Sequence, residues 1–273
     1  MTRTDRWSTA HVASRDGTDI AYVTGGEGPP LVLVHGVLGD HSRWGALQPH
    51  LEAHCTVYAV DRRGRGASGD HPDYDVEREF EDVAAVVDAV GQASGSPAAV
   101  YGHSGGASYA LGAATLTSNV DKLVLYEPPV DPAGILPEGF LERLDDLVAA
   151  DRSEEVVETF CREVLHMSEQ QIEAYRNQPS WSARVAAAHT LPRELRVPAG
   201  RLVDPERVAR VDVPVLLLEG SETPAGFKEG TRIVADALRD ARVVTLDGQG
   251  HTADVLAPEL VAERVLAFLD SQG

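Results

Sequence analysis

The chain predicts an α/β fold: a mostly parallel central sheet flanked by helices, with a helical insertion. Three features predict it. Short apolar runs alternate with helical patterns along most of the 273 residues, the rhythm of a sheet built from strand–helix units. One run, "LVLVHG" (31–36), is almost continuously apolar, as expected of a strand buried on both faces. From 128 to 212 the strand rhythm stops and only helical patterns remain.

In chain order, "TDIAYVTG" reads as an early strand closed by the turn "GGEGPP", and "LVLVHG" follows it. "SRWGALQPHLEAH" reads as a helix and "CTVYAVD" (55–61) as a strand. "DVEREFEDVAAVVDAV" (75–90) has helical periodicity, with acids in the first turn where the helix dipole favours negative charge. "PAAVYGH" is a strand that enters a helix of small residues, "SGGASYALGAATL", and "KLVLYE" (122–127) is the next strand. Within the insertion, "PEGFLERLDDLVAA", "SEEVVETFCREVLH" and "SEQQIEAYRNQ" each read as amphipathic helices. "VPVLLLEG" (213–220) restarts the strands, "GFKEGTRIVADALRD" is a helix, "ARVVTLDG" a last strand and "APELVAERVLAFLD" a closing helix. The expected division is a core of residues 1–127 and 213–273 carrying a helical cap of residues 128–212, a common size for a small independent element.

Composition narrows the function. The formal net charge is −19, spread along the chain, so nucleic acid and anionic membrane surfaces are not expected partners. The two cysteines, Cys55 and Cys161, have no metal-site or redox spacing. "MTRTDRWSTAHVAS" has no apolar leader, and no apolar run reaches the roughly 18 residues of a membrane span. The expectation is a soluble, cytoplasmic protein acting on a small molecule, of an oligomeric state the sequence does not specify. "GRGASG", Gly64 to Gly69, literally fits the dinucleotide fingerprint G-x-G-x-x-G. That fingerprint must open directly into a helix that meets the pyrophosphate; here "DHPDYD" follows instead.

The chemistry-bearing pattern is "GHSGG", Gly102 to Gly106, between a predicted strand and a predicted helix. It fits G-x-S-x-G, in which a sharp turn holds a serine in a strained conformation with its Oγ raised above the sheet. Ser104 is therefore the candidate nucleophile. Gly105 opens the helix, so its N–H is aimed at a developing oxyanion. A second donor is expected from the loop after an earlier strand, where Val37 follows His35-Gly36. A histidine ending a buried strand commonly serves as a hydrogen-bonded scaffold, and that role is preferred for His35 over a base. His251, in the Gly-rich loop between the last strand and last helix, is the candidate general base. His103 adjoins the nucleophile and is expected on the opposite side of the turn. His35, Gly36, His103 and Trp181 are the candidates to border the substrate. Trp181, Phe140, Phe160, Leu165 and Met167 are apolar candidates for the inner face of the insertion, with packing among its own helices the preferred role for most of them.

"GGEGPPLVLVHG", "DRRGRGASG", "GHSGG", "VPVLLLEG" and "GQGH…PELVAERVLAFL" occur in an order and spacing that resemble the α/β-hydrolase superfamily, with a serine esterase- or lipase-like nucleophile. The likeness covers nearly the whole chain. It implies the α/β-hydrolase fold, a structural role for Asp61 and Arg63, a cap formed by the insertion, and no metal or organic cofactor. It also implies an acid after "VPVLLLEG", three residues beyond Gly220, where this chain has Thr223. Threonine cannot supply the charge that orients an imidazole and stabilises its protonated form.

Three answers compete. Glu222 is adjacent and has the right charge. Asp212 precedes the strand, at the wrong end of a parallel sheet for catalysis. Glu127 ends the strand after the nucleophile helix, and a carboxylate at the end of an apolar strand calls for a partner. Some haloalkane dehalogenases of the superfamily are similar in carrying a glutamate there, although their nucleophile is aspartate. Glu127 is favoured, Glu222 is the alternative acid, and absence of a working acid is the third reading. The expected reaction is hydrolysis of carboxylic esters, lactones or thioesters of small to medium, largely apolar substrates through an acyl-enzyme. Alternatives on the same residues are a carbon–carbon bond hydrolase, a cofactor-free perhydrolase or a lyase. A non-catalytic, receptor-like binding protein is the alternative of another class.

Overall fold

The computed structural model describes residues 7–271; the reading of the N-terminus as lacking a leader falls partly on residues outside them. The apolar runs form strands β1 (Ser8–Ala13), β2 (Asp19–Gly25), β3 (Pro30–Val34), β4 (Thr56–Val60), β5 (Ala98–His103), β6 (Val120–Tyr126), β7 (Val215–Gly220) and β8 (Ala241–Leu246). They make one eight-stranded sheet in the order β1-β2-β4-β3-β5-β6-β7-β8. The first two pairings, β1 with β2 and β2 with β4, are antiparallel. All pairings from β4 to β8 are parallel.

Alternate strand residues point to opposite faces, and both faces are covered. Val32, Val34, Val100, Leu123, Leu125 and Leu217 pack with Phe80, Val83, Val87 and Leu111. These partners come from α2 (Val76–Ser94) and α3 (Gly105–Ala113). Leu31, Leu33, Tyr101, Val124, Leu216 and Leu218 pack on the other face with Leu51, Val261 and Val265. Leu51 ends α1 (Gln48–Leu51), and the valines belong to α12 (Pro258–Leu269). Double coverage explains why the central strands read as unbroken apolar runs. α2 starts where the Asp75 side chain accepts from the Glu77 N–H at 2.9 Å and stops at Gly95, whose φ is 75°.

Between β6 and β7 lie α4 (Phe140–Ala149), α5 (Ser153–Glu163), α6 (Glu169–Arg176), α7 (Trp181–Ala186), α8 (Leu191–Leu195) and α9 (Pro205–Val208). No strand interrupts them among the described residues. Their apolar faces make a separate cluster with Phe140, Leu144, Val157, Phe160, Ile172 and Leu191, joined by Leu38 and Phe227 from outside the segment. α10 (Ala225–Ala237) follows β7, and α11 (Ala253–Leu256) precedes α12. Among the described residues no helix is long and apolar enough to cross a membrane.

Two expectations need correction. "SRWGALQPHLEAH" is not one helix but a 3₁₀ turn at His41–Gly45 followed by the four-residue α1. Pro49 lacks an N–H and its ring collides with the preceding turn of a continuous helix. β1 was not expected at all. Its residues alternate between exposed and half-buried positions, so no apolar run marks this edge strand. "GRGASG" lies in turns, and the next helix opens only at Val76.

Candidate active site

Parallel register gathers the candidate residues at one end of the sheet. His103 of β5 lies opposite Tyr126 of β6, so the residues that follow, Ser104 and Glu127, leave neighbouring strands side by side. Both have left-handed backbones, with φ of 55° and 48°. This conformation is rare for residues with a Cβ and is held only by its surroundings. The Ser104 N–H donates to the Tyr126 carbonyl at 2.8 Å and the Glu127 N–H to that of Leu218 at 3.1 Å. The glycines of G-x-S-x-G are required by close approach. A Cβ on Gly106 would lie 2.1 Å from the Val34 carbonyl oxygen, and one on Gly102 would lie 2.5 Å from that of Gly106.

Gly105 is the first residue of α3, so its N–H has no acceptor within the helix. Val37 and Ser104 line two small cavities, each of about 40 Å³. One contains Gly36, His103 and His251. The other lies toward Gly105 and is largely apolar, with Ile135, Val164 and Leu195. A groove of about 500 Å³ adjoins the first and shares His251, Phe227, Tyr175 and Leu165 with it.

The His251 ring lies between Phe227 and His103, with centroids 4.5 and 4.7 Å away. Its Nδ1 faces the Glu127 carboxylate through Oε2. Glu127 is fully buried. Its other oxygen, Oε1, accepts from the Gly220 N–H at 2.7 Å and from the Thr223 hydroxyl at 2.6 Å. The threonine that stands where an acid was expected is thus a hydrogen-bond donor to the carboxylate on the neighbouring strand. Three donors replace the water that a buried carboxylate loses. Among the described residues no hydrogen bond joins Ser104 Oγ to the His251 ring; such bonds are often long in unliganded enzymes and tighten with substrate.

Of the remaining candidates, Gly36 and His103 line the first cavity. His103, expected on the opposite side of the turn from the nucleophile, lines the same cavity as Ser104 and His251. Its Nε2 lies 2.7 Å from the His251 carbonyl oxygen, which requires a proton on that nitrogen. Burial, followed by the Arg43 charge, keeps its pKa well below the usual histidine value. Glu222 does not approach the His251 ring nitrogen; it is exposed and borders the outer groove. His35 lines neither of the two small cavities nor the groove. Its Nδ1 donates to the Gly36 carbonyl at 2.8 Å, its Nε2 accepts from the Arg62 N–H at 3.4 Å, and it is wholly buried. Trp181 is also outside the cavities, because its ring packs beside Tyr175 and its Nε1–H donates to Glu154 at 3.2 Å. Phe140 is buried among the insertion helices, Phe160 and Leu165 reach the first cavity, and Met167 reaches the groove.

Sequence reasoning missed Arg43, Tyr175, Arg184 and Phe227, which all line the first cavity. No local pattern marks them, since their placement follows from how the insertion sits on the sheet. It also missed Arg62, fully buried, which donates to the Gly36 carbonyl at 2.9 Å and to Glu79 at 2.7 Å. Arg63 pairs with Asp82 at 2.7 Å, and Asp61 accepts from the His41 N–H at 2.8 Å and the Ala67 N–H at 2.9 Å. Asp40, His41 and Asp61 form the one grouping of potential metal ligands among the described residues, and these internal hydrogen bonds occupy it.

A family model described as the alpha/beta hydrolase family matches residues 31–264. N-formylmaleamate deformylase of Pseudomonas putida is 35% identical over 113 residues, spanning 40% of this chain and 41% of that protein. The chain thus spans less than half the length of that relative. 2-Hydroxy-6-oxo-6-(2'-aminophenyl)hexa-2,4-dienoic acid hydrolase of Metapseudomonas resinovorans is 26% identical over 267 residues, covering 93% of this chain and 88% of that one. The crystal structure of an alpha/beta hydrolase from Sphaerobacter thermophilus superposes with a TM-score of 0.81 at 37% identity, covering 95% of this chain and all of that one.

Proposed function

The chain belongs to the alpha/beta hydrolase family, and from that membership we propose that it is a serine hydrolase of carboxylic esters, lactones or thioesters. Ser104 is the nucleophile, His251 the general base and Glu127 the acid. The N–H groups of Val37 and Gly105 receive the oxyanion, and residues 128–212 act as the cap. The observation that carries this reading is the His251 Nδ1 facing a buried carboxylate that Gly220 and Thr223 hold in place, beside a serine on a strained strand-to-helix turn.

The Ser104 hydroxyl attacks the substrate carbonyl carbon while His251 Nε2 takes its proton. The Glu127 carboxylate stabilises the imidazolium and keeps the neutral ring in the tautomer with its proton on Nδ1. The carbonyl electron pair moves onto oxygen, where two N–H donors and the N-terminus of α3 stabilise the charge. Collapse expels the alkoxide, which takes the proton from His251 and leaves an acyl-enzyme. Water, deprotonated by His251, repeats the attack and releases the acid. No step calls for a metal or organic cofactor.

A second reading is hydrolysis of a carbon–carbon bond by the same residues. The near full-length likeness to the hexadienoic acid hydrolase favours it over a perhydrolase or lyase. p-Nitrophenyl esters of graded chain length test the first reading, with a serine-directed fluorophosphonate as active-site label. Ester turnover and labelling at Ser104, both lost in Ser104→Ala, are expected. Labelling at another residue, or turnover in the variant equal to wild type, overturns the nucleophile. Labelling at Ser104 without ester turnover moves the reading to the carbon–carbon bond.

A further inference from the structure

Five arginines are buried among the described residues: Arg43, Arg62, Arg63, Arg65 and Arg184. Four have a carboxylate within hydrogen-bond distance: Arg43 has Asp254, Arg62 has Glu79 and Glu194, Arg63 has Asp82, and Arg65 has Glu194. Arg184 has none. It is 3% exposed, its Nη1 donates to the Leu38 carbonyl at 3.2 Å, and its guanidinium lies 4.2 Å from the Tyr175 ring centroid. Its Nε has no partner. A carbonyl and an aromatic face offset only part of the lost hydration, and a buried cation without a counter-ion is costly. The neighbouring Arg43 adds repulsion, which the Asp254 carboxylate paired with Arg43 offsets only in part and without a hydrogen bond to Arg184.

The cavity that Arg184 lines also holds Ser104, Gly36, Val37 and His251. Its volume of about 40 Å³ suits a group the size of a carboxylate beside a scissile carbonyl. The apolar cavity toward Gly105 supplies no competing cation. We propose that the substrate carries a free carboxylate within a few bonds of the scissile carbonyl and that Arg184 is its counter-ion. The substrates would then be half-esters of short dicarboxylic acids or close analogues. The proposal rests on the assignment of Ser104 and His251 above. It replaces the expectation of a largely apolar substrate with one charged on one side of the nucleophile and apolar on the other.

The test compares monomethyl succinate and monomethyl glutarate with methyl butyrate and methyl valerate, reading the ratio of kcat/KM for anionic over neutral ester. Wild type is expected to favour the anion by at least tenfold. Arg184→Gln should lower that ratio by about 100-fold, the scale of losing one partner of a buried charge pair, and Arg184→Lys should restore part of it. A merely structural arginine would depress both substrates alike. An unchanged ratio in Arg184→Gln, or a wild-type preference for the neutral ester, overturns the proposal. Should Arg184→Gln not fold, calorimetric titration of wild type with glutarate and with its diamide decides instead. Binding of glutarate alone supports the proposal; equal binding of both, or none, overturns it. This readout needs no turnover, so it separates a failure here from a failure of the serine-hydrolase reading.

Discussion

The most informative residue is Thr223. Its hydroxyl bonds the same carboxylate whose second oxygen faces His251, so it supports the carboxylate proposed as the acid. Glu127→Gln removes the charge while keeping the shape. Turnover is expected to fall by a large factor, on the order of 10⁴ by analogy with serine-protease acids, whereas Glu222→Gln should change it less than about tenfold. Steady-state kinetics on one p-nitrophenyl ester checks both, and the reverse pattern would move the acid to Glu222. Thr223→Val deletes a hydrogen bond to a buried carboxylate, a loss of about 1.5–3 kcal/mol. A fall in kcat of roughly tenfold or more is therefore expected, and wild-type kcat in this variant would mean that the hydroxyl is not coupled to the chemistry. That Ser104, His251 and Glu127 gather at one end of the sheet was readable because each sits at a strand end or in a loop with a local signature. Arg184 and Tyr175 were not readable. They sit on short helices whose facing depends on packing against a distant sheet, and no spacing within "WSARVAAAHT" distinguishes a cavity wall from a solvent face.

Among the elements, the passage from β5 into α3 tolerates least. Gly106→Ala would drive a methyl group into the backbone carbonyls of Val34 and His35, at 2.1 and 2.5 Å. Backbone of a central strand cannot yield as a flexible side chain would. A destabilisation of at least the 1–3 kcal/mol typical of overpacking is expected, read from the denaturant midpoint. A midpoint equal to wild type would show that the helix can lift off the sheet. The parallel strands were legible from sequence because burial on both faces leaves an unbroken apolar run, as in β3, where every residue is buried. β1 and the short helices α7, α8 and α9 were not. An exposed edge strand has no apolar face to display, and a helix of four to six residues spans too few turns to show a period.

Across the whole molecule, the helical segment and the sheet domain are tied by charge. Arg62 and Arg65 meet Glu194 in the buried interior, while Arg193, Arg201 and Arg207 pair with Asp70, Asp75 and Glu77 nearer the surface. Burial alone would raise the Glu194 pKa, but the two guanidinium charges hold it well below the usual carboxylate range. A depressed carboxylate contributes stability that is present above its unfolded value and lost as pH falls through its folded value. Glu194→Gln should therefore cost about 3–5 kcal/mol at neutral pH, the range for breaking a buried pair, and flatten the acid side of the stability profile. Urea denaturation across pH checks both, and a parallel profile for variant and wild type would exclude the linkage. All of these ties engage residues 193–207 of the segment. The arginines of α4, α5 and α6 pair instead within the segment, as in Arg143 with Glu163, Arg162 with Glu169 and Arg176 with Glu158. The segment is therefore fastened like a door with its hinges on one jamb. Its leaf is the half that carries Phe160, Leu165 and Tyr175, which meets Leu38 and Phe227 of the sheet domain by apolar packing and, among the described residues, not by ion pairs. Amide exchange is expected to be faster in α5 and α6 than in α8, and under the proposed cap role of residues 128–212 a substrate would enter by swinging the leaf without drawing the hinge pins.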